Sequence, residues 1–367
     1  MVVFLVLSSL LLGFYLFIVL LATYGWFLRA PNHSLLLNEV VDFGGLSVII
    51  PFRNEAHNLP KILSRLTEIH SPLTSVEFIF IDDHSTDRWL DIVDVNSLPS
   101  NVRFVNSVKV GKKQAIFKGV EVAQYNTILT TDADCMPNQD WVQTMYDTYM
   151  KDKCQLLFGP VTLEGNTSFL SYFQSIDYAA MAAIGGGSAL AGKPFICSGA
   201  NLMFSKSCYL SVFDDIKLEF ASGDDVFLLH AFKQKGYRIS FCKSSEALVR
   251  TSVEPTFSDL VKQRVRWGAK AKGYTDWFSI FVSLVVFLLC VAMIGSLALL
   301  STHYYVPILL FLIKMVADGL FLSGILPLFQ IRFRWFLVVI IQLFYPFWIV
   351  FIAAQGFWGT TRWKGRR

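Results

Sequence analysis

Charge is scarce in this 367-residue chain: Asp, Glu, Lys and Arg together make up 16% of it, against about 25% in an ordinary soluble domain. Cysteine pairing is missing too. The six cysteines (135, 154, 197, 208, 242 and 290) are scattered with no C-x-x-C among them, which excludes a small disulfide scaffold and gives no zinc site. No Lys/Arg-rich run of the kind that binds nucleic acid occurs, and the net charge of +4 is modest, enough to favour an anionic lipid surface. No G-x-G-x-x-G or Walker A sequence follows a candidate strand, which counts against dinucleotide and P-loop enzymes. What the chain has in excess is apolar residues, 54% of the total, with a mean hydropathy of +0.48. Disorder and collagen-like structure are thereby excluded. Much of the chain must face something other than water.

The apolar excess lies at the two ends. Residues 1–28 carry no charge and Arg29 closes the run; about 20 apolar residues suffice to span a bilayer as a helix. The run has no basic n-region and exceeds an h-region, so residues 1–29 are expected to be a retained anchor. A second uncharged run extends from Trp277 to Thr302, a third from Tyr304 to Phe329 is broken by Lys314 and Asp318, and a fourth from Trp335 to Trp358 contains Pro346. The expected organisation is an anchor (1–29), a water-soluble domain (30–276), a membrane region of three segments (277–361) and a basic tail (362–367). Most of the Lys and Arg lie in the soluble domain, which puts that domain in the cytoplasm. Four spans would then export Arg362, Lys364, Arg366 and Arg367, so a re-entrant last segment, split at Pro346, is expected.

The soluble domain opens with the β-branched run Leu46-Ser-Val-Ile-Ile50 before Pro51, which fits a buried parallel strand. Leu59, Ile62, Leu63 and Leu66 follow at helical spacing; Glu77–Ile81 then runs into Asp82-Asp83-His84, and Thr127–Thr131 into Asp132-Ala133-Asp134. Strand, helix, strand with polar strand ends is the doubly wound α/β pattern, whose ligands bind at the carboxyl ends of the strands. Carboxylates there suit a metal-bound diphosphate, and an oxygen-only donor set suits Mg²⁺ or Mn²⁺. An isolated D-x-D reads equally well as a solvated turn.

Further along, Ser222-Gly-Asp-Asp225 precedes the helix-like run 226–232. One of its aspartates is expected to cap that helix while the other does chemistry. Gln263-Arg-Val-Arg-Trp267 stands just ahead of the second membrane segment, where Arg and Trp also suit a membrane interface. Gly185-Gly-Gly187 reads as a flexible loop near an acceptor entrance. Lys314 and Asp318, four apart, can pair on one helix face. Phe169–Tyr178 suits either core packing or a membrane surface. Asn32 and Asn166 head glycosylation sequons, without meaning in a cytoplasmic domain.

Together these residues resemble the family 2 glycosyltransferases, the inverting group that includes cellulose, chitin and hyaluronan synthases and ceramide glucosyltransferase. Pro51-Phe-Arg-Asn-Glu55 and Asp82-Asp83 match the nucleotide-binding strand ends, and Gly111-Lys112-Lys113 with Ala115 and Gly119 the lysine-bearing segment. Asp132-x-Asp134 matches the metal motif, Ser198-Gly199-Ala200-Asn201 the acceptor-side loop, Gly223-Asp224-Asp225 the base motif and Gln263-x-x-Arg266-Trp267 the Q-x-x-R-W signature. Phe117 stands where many relatives carry Asn.

The resemblance implies a glycosyltransferase A-type fold, a doubly wound, mostly parallel sheet, with one N-terminal and about three C-terminal membrane helices. It implies Asp225 as general base with Asp224 supporting or capping, and Asp134 and Asp132 as ligands of Mg²⁺ or Mn²⁺. Pro51, Arg53, Glu55, Asp82, Asp83, Lys112, Asp132, Gln263 and Arg266 would bind the nucleotide-sugar donor, a UDP-sugar. Gly199, Ala200, Asn201 and Trp267 would bind the acceptor. The expected reaction is inverting transfer of a hexose to a membrane lipid or lipid-linked acceptor. A processive polysaccharide synthase is the alternative, because four segments, one of them re-entrant, are few for a polymer channel. A catalytically inactive membrane scaffold is the third reading, against which the full set of carboxylates stands.

Overall fold

The computed structural model describes residues 2–28, 44–70, 75–217, 220, 223–303 and 305–358. The Asn32 sequon, Ser222 and the basic tail lie outside them. The strands are β1 (Leu46–Phe52), β2 (Val76–Asp82), β3 (Val102–Asn106), β4 (Thr127–Thr130), β5 (Met136–Pro137), β6 (Leu156–Phe158), β7 (Val161–Glu164), β8 (Leu202–Ser205), β9 (Ile239–Phe241) and β10 (Val249–Ser252). The helices are α1 (Val2–Thr23), α2 (Leu59–Thr67), α3 (Lys112–Val122), α4 (Trp141–Asp152), α5 (Phe169–Leu190), α6 (Lys206–Val212), α7 (Val226–Gln234), α8 (Phe257–Ala269), α9 (Trp277–Ser296), α10 (Tyr305–Ile325) and α11 (Trp335–Trp358). Two compact units result. One comprises Ala30–Glu164 and Ile196–Ser252, the other Met1–Arg29, Gly165–Phe195 and Val253–Arg367.

The first unit is built on a sheet of order β3-β2-β1-β4-β8-β6-β9. β1 runs parallel to β2 and β4, β2 to β3, and β6 to β9; β8 alone runs antiparallel to its neighbours. This is the doubly wound, mostly parallel α/β sheet expected. Every residue of the central β1 is buried, as apolar strands covered on both faces require. Helix α3 seats closely on it: a methyl group at Gly119 would lie 2.5 Å from Ile49 Cγ2. Register pairs Phe52 with Asp82 and Ile49 with Thr130, so the chain leaves β1, β2 and β4 at the same end of the sheet. A small second sheet, β5-β10-β7, lies in the same unit.

The second unit is helical. Four of its helices, Val2–Leu28, Trp277–Leu299, Tyr305–Ile325 and Trp335–Phe357, are long and apolar enough to cross a membrane. The unit also takes in residues 165–195 and 253–276, which composition alone groups with the soluble domain. Gly185–Gly187 are not a loop, as expected, but lie inside α5. The reason is packing: a methyl group on Gly187 would lie 2.3 Å from the Ala22 carbonyl oxygen, and one on Gly25 would lie 1.9 Å from the Gly187 carbonyl oxygen. Small residues let α1 and α5 touch backbone to backbone, which outweighs glycine's poor helix propensity.

Asn166, read as part of a sequon, shapes the start of α5: its Oδ1 accepts from Ser168 N (3.0 Å) and Ser171 Oγ (2.8 Å). Phe173 meets Trp348 edge to face at 5.5 Å. Helix α11 runs unbroken through Pro346, although the ring removes a backbone donor. The charges of α10 pair as their spacing suggests. Lys314 Nζ lies 2.5 Å from Asp318 Oδ2 and 3.0 Å from Gln342 Oε1, and Tyr15 donates to Asp318 Oδ1 at 2.5 Å.

Candidate active site

The site grows from the ends of β1, β2 and β4. Beyond β1, Asn54 takes a left-handed conformation (φ 54°); its N–H donates to Ser85 Oγ (3.0 Å) and its Oδ1 accepts from Thr86 N (2.8 Å). Ala56 N donates to Asp87 Oδ2 at 2.8 Å. These bonds tie the loop after β1 to the loop after β2. Asp82 braces the second loop, accepting from Ser85 N (2.8 Å) and Trp89 Nε1 (3.2 Å). Asp83 is buried and accepts the Gly111 N–H at 2.7 Å, which links the end of β2 to the head of α3. Gly111 sits there with φ +116°, a conformation that favours glycine. Pro51 is buried within β1, Arg53 is half-buried, and Glu55 accepts from Asn58 Nδ2 at 2.7 Å.

At the head of α3, Lys112 Nζ lies 2.6 Å from Asp132 Oδ1 and 3.1 Å from Asp224 Oδ2. Burial alone would lower the Lys112 ammonium, but the charges and hydrogen bonds of Asp132 and Asp224 override it and hold its pKa well above the ordinary value. One cation thus gathers carboxylates from two distant motifs. Its neighbour Lys113 does something the sequence did not suggest. Its buried Nζ donates to the carbonyls of Lys217 and Phe220 and lies 4.9 Å from the centroid of the Phe227 ring. Phe117, on the same helix, stacks on Phe213 with centroids 3.9 Å apart.

Ligand atoms of Asp132, Asp134 and Cys135 lie within 4.8 Å of one another. Burial, then the charges of Asp134 and Asp132, push the Cys135 thiol well above its usual range, so the protonated sulfur is a poor ligand. The oxygens of Asp132 and exposed Asp134 remain, a hard donor set that fits Mg²⁺ or Mn²⁺. Thr251, from β10, donates to Asp134 Oδ2 at 3.4 Å, a contact no local pattern announces.

In Gly223-Asp224-Asp225 the helix cap lies on the second aspartate, not on the first as expected. The cap falls to Asp225, whose Oδ1 accepts the Val226 N–H at 2.7 Å at the head of α7, while Asp224 takes the ion pair with Lys112. Gly199 leaves room beside that pair: a methyl group there would lie 2.9 Å from Asp224 Oδ2. Its carbonyl accepts from Thr130 Oγ1 at 3.1 Å. Asn201, expected to touch the acceptor, has another role. It is fully buried, donates to the carbonyls of Pro160 (3.0 Å) and Ala247 (2.8 Å), and accepts from Trp141 Nε1 (2.9 Å). Asn201 fixes the loop from within, with Ala200 buried beside it.

Gln263, Arg266 and Trp267 stand on α8 of the helical unit. Gln263 Nε2 donates to Glu254 Oε1 at 2.6 Å. Trp267 lies 5.7 Å from the Tyr178 ring, and the Arg264 guanidinium covers it at 4.3 Å.

Comparison with known proteins bears on all of this. Residues 47–213 match the Glycosyl transferase family 2 family. The poly-beta-1,6-N-acetyl-D-glucosamine synthase of Staphylococcus aureus is 26% identical over 268 residues, covering 70% of this chain and 63% of that protein. Its Staphylococcus epidermidis counterpart is 29% identical over 244 residues, covering 64% and 57%. The chain thus spans less than two thirds of the length of these relatives. The solved mannosyltransferase PcManGT from Pyrobaculum calidifontis, in complex with GDP-Man and Mn²⁺, aligns over 97% of this chain and 99% of its own with a TM-score of 0.55 at 16% identity. That likeness is one of fold, and the fold is glycosyltransferase A-like.

Proposed function

We propose, from the premise that the chain carries a glycosyltransferase family 2 domain, that it is a membrane-integrated processive synthase extending a β-linked polysaccharide from a nucleotide-sugar donor. The observation that carries the transferase reading is the convergence of Asp132 and Asp224 on Lys112, with Asp134 alongside, at the carboxyl ends of the sheet. Ligands of doubly wound folds bind at such ends. The polysaccharide-synthase relatives favour the processive alternative over the single lipid transfer preferred from sequence. A β-linked N-acetylhexosamine polymer from a UDP-sugar is the first product to seek.

In this reading Asp225 accepts the proton of the acceptor hydroxyl as the oxygen attacks the anomeric carbon from the face opposite the leaving group. The bond from that carbon to the diphosphate oxygen breaks, and the nucleoside diphosphate leaves with the electron pair. One in-line displacement inverts the centre, so an α-linked donor gives a β-linked product. Asp134 and Asp132 would hold Mg²⁺ or Mn²⁺, which when bound supplies positive charge against the leaving diphosphate. Lys112 keeps Asp132 and Asp224 in place. Arg53, Glu55 and Asp83 hold the nucleoside, with Asp82 bracing their loop. The Q-x-x-R-W resemblance assigns Arg266 and Gln263 to the donor and Trp267 to the acceptor, and the loop resemblance assigns Gly199 to the acceptor. The α/β unit is cytoplasmic, on the side where its Lys and Arg are favoured.

The test is incubation of membranes with a labelled nucleotide sugar, followed by sizing of the product. A long polymer supports the proposal. A single-sugar lipid returns the preference to lipid transfer, and no incorporation at all sinks both.

A further inference from the structure

An x position inside the Q-x-x-R-W signature, Arg264, and two residues outside it, Asp177 and Tyr345, surround the named residues of the motif. Arg264 is buried between Gln263 and Arg266, and its Nε lies 2.9 Å from Asp177 Oδ2, with both side chains almost fully enclosed (5% and 3% exposed). The other Asp177 oxygen accepts from the Tyr345 hydroxyl at 3.0 Å. The same guanidinium donates through Nη1 to Gln263 Oε1, and its Cζ lies 4.3 Å from the centroid of the Trp267 ring. A chain of contacts therefore runs from Tyr345 on α11, through Asp177 on α5, to Arg264 and from there to both Gln263 and Trp267 on α8. Helix α8 also lies close on α11: a methyl group at Gly356 would be 3.3 Å from Ala269 N.

A buried ion pair is a weak source of stability, since apolar residues of equal volume often do as well. What it supplies is direction. A guanidinium is planar, with donors at fixed angles, and stacks on aromatic faces, so holding its Nε and Nη1 fixes the plane against which Trp267 rests. Lysine or an apolar residue at 264 would fill the space without setting that plane.

The geometry points to Arg264, Asp177 and Tyr345 as positioning residues for sugar transfer: they hold Trp267 and Gln263 in the orientation the acceptor requires and tie that orientation to the membrane helix α11. This inference rests on the function proposed above, since it assigns Trp267 to the acceptor.

The experiment uses the full chain in nanodiscs, with Tyr345→Phe, Asp177→Asn and their double variant. Tyr345→Phe removes one hydroxyl and keeps the ring. Hydrogen bonds to charged groups are worth enough for about a tenfold change, so the acceptor KM should rise about tenfold and products should shorten. Nucleotide binding and the unfolding midpoint should stay at the parent value. Asp177→Asn should raise the acceptor KM further, and the double variant should be no worse than Asp177→Asn, because both act through Arg264. Kinetics of Tyr345→Phe identical to the parent overturn the inference. So does a loss in Tyr345→Phe that tracks a fall in its unfolding midpoint or donor affinity, which is a merely structural role, and so do strictly additive effects in the double variant. Asp177→Asn, which breaks a buried pair, is expected to lower the midpoint as well. If the parent places one sugar on a lipid instead of making polymer, the polymer reading fails and the lipid KM decides this inference. If the parent transfers nothing, both fall.

Discussion

The carboxylates of the two units live under opposite rules. In the helical unit, Asp318 takes Lys314 and Tyr15, and Asp177 takes Arg264 and Tyr345, so each buried acid meets a full cation and a phenol. In the α/β unit Asp132 and Asp224 both contact the ammonium of Lys112, and Asp134 lies exposed beside Asp132. Low-dielectric surroundings make an unmatched charge costly, so the two enclosed acids of the helical unit are each matched to a cation. Acids clustered where they reach the surface suit a divalent cation and a proton-transfer step. The difference lies in exposure and in the sharing of a cation more than in residue type.

The comparison is tested most severely at Asp225. Asp225→Asn keeps shape and volume but removes the proton acceptor, so sugar transfer should fall by about 10²–10⁴-fold, or roughly 3–5 kcal/mol of transition-state stabilisation. Nucleotide binding should survive. Asp224→Asn loosens Lys112 without removing the base and should cost less. Single-turnover transfer and nucleotide affinity for both variants decide the matter; a nearly unimpaired Asp225→Asn beside a dead Asp224→Asn would exchange their roles. In the same assay, excess chelator should abolish transfer, with Mg²⁺ or Mn²⁺ restoring it. Full turnover without a divalent ion would remove Asp132 and Asp134 from the metal site.

On the structural side, Lys314→Met strands Asp318 in an apolar interior. Breaking a buried pair in this way costs about 3–5 kcal/mol, to be read as a lower unfolding midpoint in detergent. Pairing Lys314→Met with Asp318→Leu should recover most of the loss, since the pair answers only to itself and its neighbours. Failure of the double variant to recover would mean that these charges serve more than each other.

Much of the α/β unit was legible because its signals are local. Leu46–Ile50 and Glu77–Ile81 are β-branched and apolar, and the acids at their ends and after Thr130 stand where a parallel sheet presents ligands. The rest depended on distant partners. Gly185–Gly187 look like a loop until the backbone of Ala22 lies against them. Asn201 looks like a polar ligand in a polar loop, and only the carbonyls of Pro160 and Ala247 show it to be an internal strut. Arg264 sits inside the signature yet draws no notice, because its partners Asp177 and Tyr345 are 87 and 81 residues away in sequence. Residues 165–195 read as part of the soluble domain because nothing in their own composition reports that they pack with α1.

The smallest expected effect is a flat line, and it concerns the Lys112 ammonium. A lysine whose folded pKa is raised contributes stability that is fully present below its unfolded value, about 10.4, and lost only as pH climbs through the higher folded value. For Lys112 the two acids hold the folded value well above the ordinary one, so its contribution should not change between about pH 6 and pH 9. Lys112→Met should therefore weaken stability and donor binding by an amount that is the same across that window. The check is parallel urea unfolding and nucleotide binding for parent and variant at several pH values. A gap that closes below about pH 9 would mean that burial prevails over Asp132 and Asp224. The site would then hold its cation no more firmly than an isolated buried lysine, and the contrast between shared and matched carboxylates would fail where it is drawn most finely.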